Sequence, residues 1–212
     1  MILSYKTGGI ALPKSTFNNL PAERQQQIRE LLLTIFYEKP VSQVKVSEIV
    51  AALQMSRGIF YKYFEDLNDA YDYIIRYYAG KVHGEIIEYI THHEGDFFKG
   101  IEEFLLLAAG LKPDELRYRE VVLLTKNSYL FSYRNEVSHG LELWQEILDK
   151  NQFAIDSQEE SISFLYFSMK LVIESLTDLL ANHWTEEQLV KDFRFKARWL
   201  TEGLKKEDLQ KG

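Results

Sequence analysis

The chain has 212 residues, 46% hydrophobic and 27% charged, enough to build a packed core, and its net charge of −7 excludes a protein that is basic throughout. It contains no cysteine, which rules out disulfides, thiolate metal sites and a cysteine nucleophile and agrees with a reducing cytoplasm. No apolar run approaches the roughly 18 residues of a membrane span, and Met1–Asn19 lacks the basic-then-apolar order of a secretory signal.

The first punctuation, Thr7-Gly8-Gly9 and Leu12-Pro13, predicts a flexible arm. Its Lys6 and Lys14 suit either plain disorder or a reach into a minor groove. A helix then starts near Pro21, with Glu23 in its first turn. Ile28, Leu31, Leu32, Ile35 and Phe36 give it one apolar face, and Pro40 ends it. Ser47 is the expected N-cap of a second, short helix that buries Ile49, Val50 and Leu53. After Gln54-Met55, Ser56 offers another N-cap for a helix running Arg57-Gly58-Ile59-Phe60-Tyr61-Lys62-Tyr63-Phe64. Ile59, Phe60, Tyr63 and Phe64 are expected against a three-helix core.

Asp66, with Asp69 three positions on, caps a long helix whose stripe runs Tyr71, Ile74, Ile75, Tyr78, Val82, Ile86, Ile87, Ile90. Gly95 breaks it, and Phe97–Ala109 is the next helix. Further helices are expected over Leu116 to about Asn127, Asn135–Lys150, Ser157 to about His183, and Thr185 to about Lys205. The count is about nine helices, with no sustained period-2 run to mark a strand. The fold class is therefore all-α: a helix-turn-helix domain with its arm over 1–66, and a helical bundle over 67–212.

Two short helices joined by a tight turn, the second opening on small and basic residues, describe a helix-turn-helix. Base edges are reached only by short or polar residues in the first turn of the inserted helix. Ser56, Arg57 and Gly58 supply a hydroxyl, a bidentate donor for guanine and a position without a side chain. Tyr61 and Lys62, one turn on, suit phosphate or thymine-methyl contact. The charge distribution agrees: residues 1–64 carry eight Lys/Arg against four Asp/Glu, a balance of +4, and the remainder carries −11.

Val46 to Ile75, VSEIVAALQMSRGIFYKYFEDLNDAYDYII, resembles the DNA-binding region of TetR/AcrR-family transcriptional regulators. Its most specific part is the aromatic-basic-aromatic-Phe close, Tyr61-Lys62-Tyr63-Phe64, and the resemblance spans residues 20–75. It implies that Ser56, Arg57, Gly58, Tyr61 and Lys62 lie on a recognition helix, and that Lys45 and Ser47 touch backbone phosphates. It further implies a homodimer built by the last two long helices, and a small-molecule effector enclosed by the middle ones. Binding of that effector would displace the helix beginning near Leu67. Three positions depart from the family pattern: Gln54 stands where the turn usually has Gly, Pro40 where the first helix usually closes on Gly, and Leu67 where Lys is usual.

The helix after Ser157 is apolar over a wide arc, which an isologous dimer covers readily. The interface candidates are Ile162, Tyr166, Met169, Ile173, Leu176, Phe193, Ala197 and Leu200. Aromatic residues, 14% of the chain, concentrate in the middle and after it, at Tyr118, Tyr129, Phe131, Tyr133, Trp144, Tyr166 and Phe167. Tyr118, Trp144, Phe167 and Leu171 are the candidates for a ligand cavity wall. No catalytic pattern appears. His92-His93-Glu94 lacks metalloprotease spacing, Gly8-Gly9 opens no phosphate loop, and there is no Gly-x-Ser-x-Gly elbow. The expectation is a cytoplasmic, ligand-responsive dimeric DNA-binding repressor with no enzymatic activity, cofactor, metal or membrane partner. The alternative is an adaptor of the same shape that binds another protein and little DNA, suggested by Leu67 and the acidic body.

Overall fold

Short polar caps fix five of the ten described helix starts. In the computed structural model Ser56 Oγ accepts from the Ile59 N–H at 3.3 Å, Asp66 from Asp69 at 2.9 Å, Asp96 from Lys99 at 3.1 Å, and Ser157 from Glu160 at 3.1 Å. Thr185 and Gln188 form a reciprocal capping box, at 3.3 and 2.9 Å. The structure describes residues 13–129 and 140–203, together with the backbone of 5–6 and 136–137.

The described residues form ten α-helices: α1 Ser15–Asn18, α2 Ala22–Glu38, α3 Val46–Ala52, α4 Arg57–Tyr63, α5 Leu67–His92, α6 Phe97–Ala109, α7 Leu116–Lys126, α8 Leu141–Lys150, α9 Gln158–Ala181 and α10 Glu186–Thr201. One 3-10 turn, Val41–Gln43, links α2 to α3. The all-helical class expected from the periodicity holds. The one strand pairing described is two residues long on each side: Tyr5–Lys6 runs antiparallel to Glu136–Val137, with Tyr5 opposite Val137. Such a pair is too short to leave a period-2 signature.

The head, α1–α4 and the start of α5, closes around Ile28, Leu32, Ile49, Phe60, Phe64 and Ile74, all fully buried. The arm contributes to this core, against expectation. Phe17 on α1 is fully buried, with its ring 5.2–5.8 Å from those of Tyr63, Phe64 and Tyr73. Lys14 is held there too: its N–H donates to Tyr63 O at 2.9 Å, and its Nζ donates to Tyr61 O at 3.0 Å and pairs with Glu65 at 2.8 Å. Ser47 does not cap α3: Lys45 occupies the N-cap position, and Ser47 lies exposed in the first turn. Ile59 points outward at 36% exposure rather than into the core.

In the body, α5 packs on α6 and α6 on α9 and α10, while α7 bridges α9 to α2 of the head. Close approach at α5/α6 depends on Gly100, where a Cβ would lie 2.5 Å from Ile90 Cα. The helix expected from Asn135 begins at Leu141, behind Gly140 at φ 87°; Asn135 itself lies outside the described residues. Two buried carboxylates, Glu102 and Glu120, are paired with cations. Glu102 accepts from Arg194 at 2.7 and 2.9 Å and from Lys99 at 2.8 Å, and the Arg194 bond holds its carboxyl down at about 2. Glu120 meets Lys81 at 2.7 Å and Arg117 at 3.2 Å, and Arg117 also grips Glu85.

Two polar ties fasten head to body. Arg119 on α7 donates to Thr34 Oγ1 on α2 at 3.0 Å. Tyr71, edge-on to Phe36 at 4.9 Å, donates its hydroxyl to Asn127 Oδ1 at 2.5 Å. Among the described residues no helix is long and apolar enough to cross a membrane.

Candidate nucleic-acid interface

The turn between α3 and α4 is a Schellman closure: Gln54 N–H donates to Ala51 O at 3.2 Å and Met55 N–H to Val50 O at 2.9 Å. That closure needs a left-handed residue, and Gln54 takes it at φ 51° in place of the usual Gly. Arg24 of α2 fastens the turn through Nη2 to Leu53 O at 3.0 Å. Buried Leu53, Phe60 and Phe64 then fix which face of α4 looks outward.

Every residue expected to meet DNA lies exposed: Lys45 and Ser47 on α3, and Ser56, Arg57, Gly58, Tyr61 and Lys62 on and beside α4. Tyr61 is 48% exposed, with its ring edge-on to Phe60 at 5.4 Å. A Cβ built on Gly58 would meet only Ser56 Oγ, at 3.8 Å. Nothing in the fold requires glycine there. Sequence reasoning missed one member of this face, Ile59, because its apolar character read as core; its neighbours Arg57 and Gly58 are exposed like it. Leu67 packs partly buried against the core, while Asn68 beside it is exposed.

Two adjoining hollows lie in the body between α5, α6, α7, α8 and α9. The one on the α8 side, about 30 Å³ and named the inner hollow for that position alone, is walled by apolar side chains including Ile90, Phe97, Trp144 and Leu165. The one on the α7 side, about 50 Å³ and named the outer hollow, is bounded by residues including Val121, Ser128, Lys170 and Leu176. His83, Ile86, Met169 and Val172 belong to both. Burial pushes the His83 imidazole down to about 4, so it stands neutral at ordinary pH.

Of the expected cavity residues, only Trp144 lines a hollow, and its Nε1 donates to Ser161 O at 3.0 Å. Tyr118 packs edge-on to Tyr37 of α2 at 6.5 Å, Leu171 is buried core outside both hollows, and Phe167 is 44% exposed. The expected dimer residues divide likewise. Tyr166, Leu176 and Phe193 are buried within the subunit, because α6, α7 and α10 already cover part of the apolar arc of α9. Met169, Ile173 and Leu176 wall the outer hollow. Ile162 and Ala197 are half-buried, and Leu200 is exposed at 43% beside Trp199 at 43%. Tyr129 is exposed, and Phe131 and Tyr133 lie outside the described residues. His93 pairs with Glu103 at 2.8 Å, and no cluster of three or more metal-ligating residues occurs among those described.

No curated protein matches the sequence. A solved TetR family transcriptional regulator from Chloroflexus aurantiacus J-10-FL is 17% identical, with 90% of this chain and 91% of that one covered and a TM-score of 0.45, a likeness too loose to carry an argument. The body is more informative: the profile of the family described as "Tetracyclin repressor-like, C-terminal domain" matches residues 96–204, just over half of the chain. That match falls on the helices behind the head, independently of the segment around α4, and the chain belongs to the tetracyclin-repressor-like (TetR) family of transcriptional regulators.

Proposed function

We propose that the chain is a cytoplasmic, ligand-responsive homodimeric repressor that sets α4 of each subunit into a major groove. The observation that carries this reading is the continuous exposed surface of Ser56, Arg57, Gly58, Tyr61 and Lys62, with open space above Gly58. Arg57 donates to a guanine edge, Ser56 and Ile59 take neighbouring bases, and Lys45, Ser47 and Lys62 hold phosphates. Two-fold symmetry then demands a near-palindromic operator with half-sites roughly 34–36 Å apart. The dimer forms through the outer faces of α9 and α10, where Phe167, Phe195, Trp199 and Leu200 remain 40–44% exposed. An effector that opens the body hollows favours a state whose heads no longer fit that spacing.

Selection of random duplex DNA on the purified protein, repeated across salt, tests the reading. Enrichment of an inverted repeat, with affinity falling steeply as salt rises, supports it. On that operator Arg57→Ala should lose about 1–3 kcal/mol and relax one base pair. Absence of enrichment at low salt would refute DNA reading by the effector-free protein and favour the protein-adaptor alternative.

A further inference from the structure

The two hollows differ in chemistry in a way that constrains what can fill them. The inner one exposes no polar surface: Trp144 Nε1 is bonded to Ser161 O, and Ser168 Oγ donates to Phe164 O at 2.8 Å. The outer one carries the polar features, Ser128 just after α7 and the exposed Lys170 on α9. Among the described residues no carboxylate lines either hollow, so none of them would receive a cationic ligand. Lys170 pairs with no carboxylate among the described residues, whereas Lys81, Lys99, Lys150 and Lys196 each do. With His83 neutral, Lys170 is the one cation among the described residues that line the cavity.

Neither hollow reaches the about 300–1,000 Å³ of a small-molecule site, and together they enclose only about 80 Å³, so a ligand must part the walls as well as join the two. Met169 stands on the wall of both. An unbranched thioether side chain changes rotamer readily, and its displacement joins the two spaces. We infer that the effector is an amphipathic anion, a monocarboxylate whose apolar chain enters the inner hollow past Met169 and whose carboxylate rests between Lys170 and Ser128. This rests on the reading of the chain as a ligand-responsive regulator and adds the chemical class of its ligand.

The probes are octanoate, octanol and octylamine, three molecules of one chain length and different heads, titrated into the full-length protein by calorimetry. Octanoate should bind about tenfold more tightly than octanol, and octylamine least. Lengthening the acid to decanoate should tighten binding about fourfold per methylene buried. Lys170→Met should erase the preference for the acid while leaving octanol affinity and the melting temperature unchanged. Met169→Phe, which fills the junction, should weaken acid and alcohol alike. Equal binding of all three heads, or tightest binding of the amine, overturns the inference. If none binds while the selected operator still does, the inference fails and the DNA reading stands. If octanoate binds with the expected preference but no operator is enriched, the effector class stands and the DNA reading falls.

Discussion

Gly58→Ala separates a residue kept for the fold from one kept for a partner. Gly58 is the second residue of α4, is exposed, and has nothing but Ser56 Oγ within 4 Å of an added Cβ, at 3.8 Å. Alanine therefore fits without displacing any atom and removes backbone freedom from the unfolded chain. In a helix interior the gain is about 1 kcal/mol; in the first turn, where fewer hydrogen bonds form, about 0.5 kcal/mol is expected. For a chain of this size that raises Tm by about 1–2 °C. Against DNA the same methyl group occupies the space through which the helix backbone approaches the base edges. The expected loss is about 1–3 kcal/mol, roughly 5- to 150-fold in Kd. Thermal melting by circular dichroism and anisotropy titration of the selected operator at fixed salt read the two effects separately. A lower Tm would mean that the fold needs this glycine after all. An unchanged Kd would mean that the first turn of α4 does not approach DNA.

Three further outcomes follow from the packing and charge described. Gln54→Gly should stabilise the chain by about 0.5–1 kcal/mol, because Gln54 sits at φ 51°; an unchanged denaturation midpoint would count against strain there. Phe17→Ala should cost about 3–5 kcal/mol and weaken DNA binding with it, since Phe17 is fully buried against Phe64 and Tyr73; a midpoint equal to the parent's would refute a structural role for α1. His83 is lowered from 6.5 to about 4 in the folded chain, so between those values the unfolded chain binds more protons. Stability is therefore present above pH about 6.5 and falls as pH drops toward 4, by on the order of 2 kcal/mol, discounted because the ring is only half-buried. Urea midpoints at several pH values check this, and His83→Gln should flatten that window. Loss between about 4.5 and 2 belongs instead to Glu102, whose lowered pKa acts there.

Local signals carried most of the architecture. Ser56, Asp66, Ser157 and Thr185 accept from N–H groups three residues on, so the starts of α4, α5, α9 and α10 are each written within four positions. The exposed face of α4 was legible from the spacing of buried Phe60 and Phe64 except at Ile59, whose apolar side chain read as core and is exposed. Phe17 was not, as a four-residue helix has no periodicity to detect. The hollows were hidden for a different reason. Ile86, Met169 and Val172 line them with the side chains and spacing that ordinary core residues have, and only the mismatch between neighbouring helices leaves the space. Phe167 of α9 and Phe193 of α10 show the same limit: both are Phe in helices expected to pack at an interface, yet one is 44% and the other 1% exposed. Which side of such an arc is covered is decided by helices distant in sequence.

One unbroken helix, α5, runs from the foot of the head at Leu67 through the cavity wall at Ala79–Ile90. At 1.5 Å per residue it is a rod about 39 Å long, with about 18 Å between Leu67 and the first cavity residue. A rod without a joint cannot absorb a swelling at one end by bending locally; it swings. A tilt of about 6° about Ala79 would carry Leu67 through about 2 Å, and in the proposed symmetric dimer the two displacements would add to about 4 Å. Since base contacts are made or lost over about 1 Å, a few side chains parting inside the body would be leverage enough, in that dimer, to unseat both proposed recognition helices at once.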